Sequence, residues 1–235
     1  MEEKRYPAEK SAEIQKLLDT ATLFVGLSPE SLDRVTSHAV TLTHPANRAI
    51  LLENDWGGSV YFILDGWVKI CTHNMEGKEV TLNIVGKGEI VGEMAALDKS
   101  TRSSDAITLT TATISSIPAQ DFVNLLKSEP LAGIRLSQLM AKRLRQLNRR
   151  LLLREADSLS RVADTILFLA EVQGQKGSQG TIIPNLPHRE LSGISGLARE
   201  TVTRSLTKLQ KKGLIQRRQE YLCIPDLAAL EKAII

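Results

Sequence analysis

One short stretch, "GEMAALDKSTRSS" at residues 92–104, holds residue types that can bind a small anion. It sets a carboxylate, Glu93, beside small side chains and follows them with a guanidinium, Arg102, and a serine, Ser103. Arginine forms short, charge-assisted hydrogen bonds with phosphate and carboxylate groups. The stretch also lies between two strand-like segments. It therefore predicts either a pocket for a small anionic ligand or an exposed turn in which Glu93 and Arg102 pair with each other.

A second stretch, "SGISGLARETVTRSLTKLQKKGLI" at residues 192–215, has the chemistry of nucleic-acid binding. Between residues 189 and 218 there are eight lysines and arginines and only two acids. Helical spacing puts Val202, Leu206 and Leu209 on an inner face. The opposite face carries Arg199, Glu200, Thr203 and Arg204.

The outer face suits the major groove of DNA. There arginine pairs bidentately with guanine, and glutamate accepts a hydrogen bond from the cytosine amino group. Glu200 is informative because a carboxylate inside a basic patch repels phosphate. It is interpreted as a base reader or as an i, i+4 partner of Arg204. The competing interpretation is a solvated charged helix with no ligand.

The charge of the chain is divided between its two ends. Residues 1–130 hold 12 basic and 18 acidic side chains, a balance of −6, whereas residues 131–235 hold 18 and 9, a balance of +9. The two balances add up to the net charge of +3. This asymmetry predicts two modules, of which the second faces a polyanion.

Other classes of protein fit the sequence poorly. Cys71 and Cys223 are too few and too far apart for a disulfide framework or an iron–sulfur cluster, and the four histidines lack ligand-like spacing. We therefore expect no metal, haem or iron–sulfur cluster. No nucleophile–base pair points to an enzyme. The charged residues 1–10 do not resemble a signal peptide, and there is no run of eighteen apolar residues, so we expect a cytoplasmic protein with no membrane segment.

The first half of the chain predicts a helix followed by a β-structure. Residues 1–21 form a polar helical tail, and Ser28 caps a helix that begins at Pro29. Between residues 44 and 117, short strand-like runs are separated by glycine-containing turns. This regular spacing favours a barrel or roll, which we assign to residues 22–128.

The middle of the chain changes to helical periodicity, with a break at Glu129–Pro130. Apolar residues at 140, 144, 147 and 151 step by four, three and four, the spacing of a heptad seam. Because the other faces are basic, we predict that residues 131–156 pair two copies of the chain. The alternative is one helix packed on its own core. Residues 129–157 thus form a dimerisation helix and hinge.

The last module, residues 158–235, predicts a winged helix-turn-helix. A helix at 158–172 and a flexible loop at 174–180 precede helices at 188–194 and 199–212, with Gly213 ending the second. Strands are predicted last, and they are assigned to residues 181–183, 214–217 and 221–224. Helix, turn, helix and a two-stranded wing is the order of that motif.

Five segments in this order resemble the cyclic-AMP receptor protein / fumarate-nitrate regulator family of bacterial transcription factors. They are "LFVGLSPESLDRV", "VYFILDGWVKI", "GEIVGEMAALDKSTRSS", "RLSQLMAKRLRQL" and "ARETVTRSLTKLQKKGLI". The resemblance covers roughly residues 20–225. It implies an α+β fold with an N-terminal cyclic-nucleotide-binding β-roll (jelly-roll-like), a long dimerisation helix and a C-terminal winged helix-turn-helix. It also implies RNA polymerase as a partner.

The resemblance assigns residues to two sites. In the family's phosphate cassette the glutamate accepts from the ribose hydroxyl and an Arg-Ser pair contacts the phosphate. The implied ligand contacts are Gly92, Glu93, Met94, Ala95, Arg102, Ser103, Leu147 and Asn148. The implied contacts to double-stranded DNA, at half-sites resembling TGTGA in a palindrome, are His188, Arg199, Glu200, Thr203, Arg204 and Lys208.

This sequence departs from the family pattern where cyclic-AMP responders contact the adenine. Those positions usually hold Thr and Ser, but here they hold Leu147 and Asn148. Leucine can neither donate nor accept a hydrogen bond. The ligand therefore stays open between cyclic AMP, cyclic di-GMP and none. The alternative function is a regulator with this fold that signals through protein–protein contact with another regulator.

Overall fold

The computed structural model describes residues 18, 21–77 and 79–234, so most of the predicted N-terminal tail lies outside the described residues. The chain divides into two units. One comprises residues up to 70 together with 85–140, and the other comprises residues 71–84 together with 141 onward.

The first unit begins with helix α1, Pro29–Thr36, whose cap was predicted correctly. The Ser28 hydroxyl accepts a hydrogen bond from the backbone N–H of Ser31 at 3.3 Å, and Pro29 occupies the first turn. Proline fits there because its missing N–H would have no partner within the helix. Leu32 and Val35 point from α1 into the core of the unit.

Eight strands build the roll that the spacing of short runs predicts. They are β1 Val40–His44, β2 Ala49–Leu51, β3 Ser59–Asp65, β4 Val68–His73, β5 Glu79–Val85, β6 Ile90–Val91, β7 Asp105–Thr108 and β8 Ala112–Pro118. One sheet has the order β1-β8-β3-β6 and the other the order β2-β7-β4-β5. In the first sheet, β8 pairs antiparallel with both β1 and β3.

Side chains that alternate between the two faces of β3 fill the core of the roll. Val60, Phe62 and Leu64 of β3 join Phe24, Phe122 and other residues in the larger apolar cluster, where the rings of Phe24 and Phe62 lie 4.4 Å apart. Ile63, between them in sequence, faces the opposite way and packs in a second cluster. Period-two alternation therefore buries both faces of β3.

A short helix, α2 Glu93–Asp98, follows β6 inside the region where apolar periodicity predicts strand-like runs. The helical periodicity of the middle of the chain begins with α3, Ala119–Ser128, which follows β8. Helix α4, Pro130–Leu152, ends in a short 3₁₀ turn at Leu153–Glu155. At the break before α4, the Glu129 carboxylate accepts hydrogen bonds from Ser31 at 2.5 Å and Ser28 at 2.9 Å, which ties α1 to the start of the long helix.

The second unit contains the winged helix-turn-helix. Its helices are α5 Ser158–Gln173, α6 His188–Ser195, α7 Arg199–Lys211 and α8 Leu227–Glu231. Its strands β9 Gln175–Gly177, β10 Gly180–Pro184, β11 Gln216–Arg217 and β12 Tyr221–Ile224 form a sheet in the order β11-β12-β10-β9. Gly213, with φ +72°, follows α7 as predicted.

Two local predictions in this unit were wrong. The segment 174–180 is not an irregular loop, because β9 pairs antiparallel with β10, with Thr181 opposite Lys176. Its polar sequence gave no strand signal, since main-chain hydrogen bonds form the pairing. The strand predicted at 214–217 is shorter than expected and begins at Gln216.

Asp157 caps α5, and its loss should destabilise the second unit. Its side chain accepts a hydrogen bond from the N–H of Ser160 at 2.8 Å. We expect Asp157→Ala to lower the free energy of unfolding by about 1 kcal/mol, the usual cost of a lost cap, and Asp157→Asn to retain most of it. Urea titration of both variants measures this. Equal stability of the alanine variant and the wild type would contradict it.

The cap should also weaken in acid. The hydrogen bond from Ser160 holds the pKa of Asp157 below its usual value. A lowered folded-state pKa contributes stability above the unfolded pKa, and this contribution is lost as the pH falls through the folded pKa. The stability difference between wild type and Asp157→Ala should therefore shrink below about pH 4.

Candidate ligand cassette and nucleic-acid interface

The cassette begins at Gly92, between β6 and α2. Gly92 has φ +83°, and a Cβ placed on it would lie 2.5 Å from Nη1 of Arg102. A side chain here would be strained and would collide with the guanidinium. The glycine therefore lets the main chain and Arg102 approach closely.

Arg102 is buried inside the cassette. Its Nη1 donates to the carbonyl of Gly92 at 2.7 Å, and its Nη2 donates to the carbonyl of Ser59 at 2.5 Å. The guanidinium carbon also lies 5.8 Å from the ring centre of Tyr61. Burial lowers the pKa of Arg102, while Tyr61, Glu93 and Asp55 act in the opposite direction. Since a guanidinium has five N–H donors, three more remain for an anion.

The other predicted ligand residues of this unit fall into two groups. Glu93 and Ala95 are buried with Arg102, so the alternative of an exposed turn does not describe them. Met94 and Ser103 are exposed. Helix α2 also borders a cavity of about 410 Å³, whose lining includes Ala95 together with Trp56, Leu97 and Val123.

Leu147 and Asn148 belong to the second unit, and both are exposed on α4. Leu147 is one of the four heptad residues. Of these, Leu144, Leu147 and Leu151 keep 59%, 47% and 64% of their surface exposed, and Met140 is partly buried. The leucine stripe (Leu144, Leu147 and Leu151) therefore keeps about half or more of its surface exposed. The pairing of this helix with a second copy stays a prediction.

The exposure of α7 follows the predicted division into two faces. Val202, Leu206 and Leu209 are buried. The side chains exposed on the other face include those of Arg199, Glu200, Thr203, Arg204 and Lys208. We call these five residues the reading face. Helical spacing alone produces this division, because the buried residues recur every three or four positions.

Hydrogen bonds order part of the reading face. Nδ1 of His188, the first residue of α6, lies 2.7 Å from the Thr203 hydroxyl. Burial lowers the pKa of His188, and the nearby Arg217 and Arg199 add to this effect. Arg204 donates to the Thr201 hydroxyl at 3.2 Å. The predicted pairing of Arg204 with Glu200 is absent among the ion pairs of the described residues.

Sequence reasoning missed a set of contacts that join α5 to its surroundings. Arg149 near the end of α4 pairs with Asp164 at 2.5 Å and Glu171 at 3.1 Å, both on α5. Arg161 of α5 donates to main-chain carbonyls. No sequence signal marks these residues, since arginine and aspartate in a helix usually face solvent.

The described residues contain no group of three or more His, Cys, Asp or Glu side chains that could hold a metal ion. In the same part of the chain, none of the helices combines the length and the apolar character needed to cross a membrane. Cys71 and Cys223 are both free and buried.

Two family models match the chain, one in each half. Residues 41–129 match a cyclic nucleotide-binding domain, and residues 160–233 match a Crp-like helix-turn-helix domain. The chain is also 31% identical over 211 residues to the cyclic AMP receptor protein of Thermus thermophilus, covering 89% of this chain and 95% of that protein.

Solved structures have the same fold. A transcriptional regulator of the CRP/FNR family from Thermus thermophilus is similar with a TM-score of 0.65 and 26% identity, over 83% of this chain and 98% of that one. The c-di-GMP responsive global regulator of Xanthomonas campestris is similar in fold with a TM-score of 0.68 and 24% identity, over 85% of this chain and 100% of the other.

Proposed function

The chain belongs to the CRP/FNR family of transcription regulators, and we propose that it works as a homodimer that reads a DNA palindrome under the control of a cyclic nucleotide. It has a cyclic nucleotide-binding domain followed by a helix-turn-helix domain, and it is a regulator rather than an enzyme.

The reading face carries the proposal. On a helix held by a buried apolar face, Arg199, Glu200 and Arg204 are exposed side by side. Arginine is suited to guanine, and glutamate is suited to the cytosine amino group. A half-site resembling TGTGA offers both kinds of base pair. Thr203 and Lys208 of the same face, and His188 beside Thr203, would add further contacts.

A palindrome requires two reading faces, and the leucine stripe supports the dimer. Three leucines repeat at the spacing of a coiled-coil seam and remain exposed in one chain. A second copy of α4 covers such a stripe with an identical stripe, as two-fold symmetry demands. Residues 131–156 would thus form the dimer contact.

The cassette supports a cyclic nucleotide as the signal. Arg102 has N–H donors to spare, Glu93 is an acceptor beside it, and the two are buried together. One relative is a cyclic AMP receptor protein, and one regulator of the same fold responds to cyclic di-GMP. We therefore propose cyclic AMP or cyclic di-GMP as the ligand. It would bind Gly92, Glu93, Met94, Ala95, Arg102 and Ser103, with Leu147 and Asn148 near the base.

Ser103→Ala should weaken binding of the nucleotide without disturbing the fold. Ser103 is exposed, so losing its hydroxyl costs little stability, whereas losing a hydrogen bond to the phosphate should lower affinity about tenfold. Calorimetric titration with cyclic AMP and with cyclic di-GMP measures this effect. The neighbouring Ser104→Ala is the matched control and should bind like the wild type.

The same titration decides the signal. Binding of one nucleotide that is weaker in Ser103→Ala than in the Ser104→Ala control supports the cassette as the ligand site. No heat with either nucleotide would contradict cyclic-nucleotide control and leave the DNA-reading half of the proposal standing.

A second function has two observations in its favour. Leu147 offers no hydrogen bond to an adenine, and two of the five Arg102 donors already bind main-chain carbonyls. A regulator that signals through contact with another protein would need neither a hydrogen bond to adenine nor free Arg102 donors for a phosphate. Silent titrations would favour this function.

DNA reading is tested by selection from random duplexes. Enrichment of a palindrome with TGTGA-like half-sites supports the proposed function, and recovery of unrelated sequences contradicts it. We also propose RNA polymerase as the partner at such sites and the cytoplasm, where bacterial DNA lies, as the location of the protein.

A further inference from the structure

Arg161 connects α5 to two main-chain carbonyls. Its Nε and Nη2 both donate to the carbonyl of Ser195, at 3.1 and 2.6 Å. Its Nη1 donates to the carbonyl of Arg154 at 3.3 Å. One guanidinium thus joins the last residue of α6 to the 3₁₀ turn that follows α4.

The acceptor at Ser195 is a group that needs a donor. The last carbonyls of a helix have no partner within the helix, and they carry its partial negative charge. A guanidinium that donates two hydrogen bonds to one such carbonyl stabilises its partial negative charge and restricts its orientation. The end of α6, and with it the turn that leads into α7, is therefore fixed from α5.

The backbone of the turn is shaped to admit this arginine. Gly196, with φ +65°, follows Ser195, and a Cβ placed on it would lie 2.9 Å from Nη2 of Arg161. Any other residue would be strained at this φ and would also push the guanidinium away. The position of the Arg161 guanidinium therefore depends on a glycine at residue 196.

Helix α5 is itself anchored to the end of α4. Arg149 pairs with Asp164, which is buried, and with Glu171, while the guanidinium of Arg150 lies 4.8 Å from the ring centre of Phe168. Residues 161, 164, 168 and 171 lie on one side of α5, three or four positions apart. Arg161 extends this row of contacts to the turn between α6 and α7.

We propose that Arg161 is a positioning residue that sets the direction of the reading face relative to the end of α4. The inference rests on the proposed function, because it matters only if α7 reads DNA. Arg161 acts through the Ser195 and Arg154 carbonyls, so its removal should impair recognition of the selected palindrome more than general attraction to DNA.

The test compares Arg161→Met, Arg161→Lys and Arg154→Met on the selected palindrome and on a random duplex. Arg161→Met keeps an unbranched apolar side chain about as long as the aliphatic part of arginine and loses all three hydrogen bonds. We expect it to lower affinity for the palindrome about tenfold or more and affinity for the random duplex less than about threefold. The slope of affinity against salt should stay unchanged, because no phosphate contact is lost.

The other variants separate positioning from charge and folding. Arg161→Lys keeps a donor for Ser195 and should recover part of the palindrome affinity. Arg154→Met removes a charge from the same segment but keeps the carbonyl, so it should behave like the wild type. Gly196→Ala displaces the guanidinium and keeps its charge, and it should reproduce the selective loss even if Arg161→Met does not fold.

Several results would overturn the inference. Normal palindrome binding by both Arg161→Met and Gly196→Ala would exclude a positioning role. If Arg161→Met lost affinity equally for both duplexes and had a lowered melting temperature, Arg161 would contribute only to the stability of the fold. A flatter salt dependence of this variant would indicate that Arg161 contacts a phosphate directly. A wild-type protein that binds both duplexes equally contradicts the proposed function itself, before any variant is compared.

Discussion

Replacing Leu144 and Leu151 with aspartate should convert the proposed dimer into a monomer and lower affinity for a palindromic duplex about a thousandfold. The two leucines keep 59% and 64% of their surface exposed in one chain, so their replacement removes little from the fold of that chain. In a dimer each buried leucine contributes about 1.5–3 kcal/mol, and four are lost per pair of chains. Four new carboxylates would also repel each other across the seam.

Sedimentation equilibrium gives the mass, and titration of labelled duplex gives the affinity. The matched control is Lys142→Asp with Arg145→Asp, which adds carboxylates to exposed positions of the same helix that lie away from the stripe. The control should remain a dimer. A leucine variant that also remains a dimer would show that the stripe is not the dimer contact.

Arg199→Ala should abolish sequence-selective DNA binding. One bidentate contact to guanine contributes about 1–3 kcal/mol, so two half-sites lose about 2–6 kcal/mol, which is roughly thirtyfold to ten-thousandfold in affinity. Arg199 is exposed, so the folded state should be unaffected within about 0.5 kcal/mol. Titration of the palindrome and of a random duplex, together with urea unfolding, measures both quantities.

Two other residues test the assignment of the reading face. Glu200→Ala should relax the preference for a single base pair, because it removes one acceptor. Lys211 is not one of the five residues of the reading face. Lys211→Ala should weaken binding to all duplexes evenly, while the salt dependence becomes flatter by about two units, one for each chain of the dimer. If Glu200→Ala and Lys211→Ala lost specificity to the same extent, the face would be assigned wrongly.

Local signals predicted most of the fold. Ser28 before Pro29 marked the start of α1, and Pro130 marked the start of α4, because these residues act within one or two turns. The spacing of Val202, Leu206 and Leu209 predicted which side of α7 is buried. Capping residues, prolines and apolar periodicity determined these features, and no distant contact was needed to find them.

Contacts between distant parts of the chain could not be predicted in the same way. Arg102 was identified as a cassette residue, but the carbonyl it reaches at Ser59 lies 43 positions away. Arg161 and Ser195 are 34 positions apart, and both have ordinary neighbours in sequence. Every residue has a main-chain carbonyl, so the sequence does not show which carbonyl accepts a hydrogen bond. An arginine that donates to a carbonyl therefore cannot be distinguished in the sequence from one that faces water.

The most direct test is the mass of the complex formed on a duplex that carries the selected palindrome. Native mass spectrometry should give two chains per palindromic duplex, and light scattering should give the same stoichiometry in solution. A scrambled duplex of equal length should form little of this complex at the same salt concentration. One chain per duplex, or equal complex formation on both duplexes, would contradict the account.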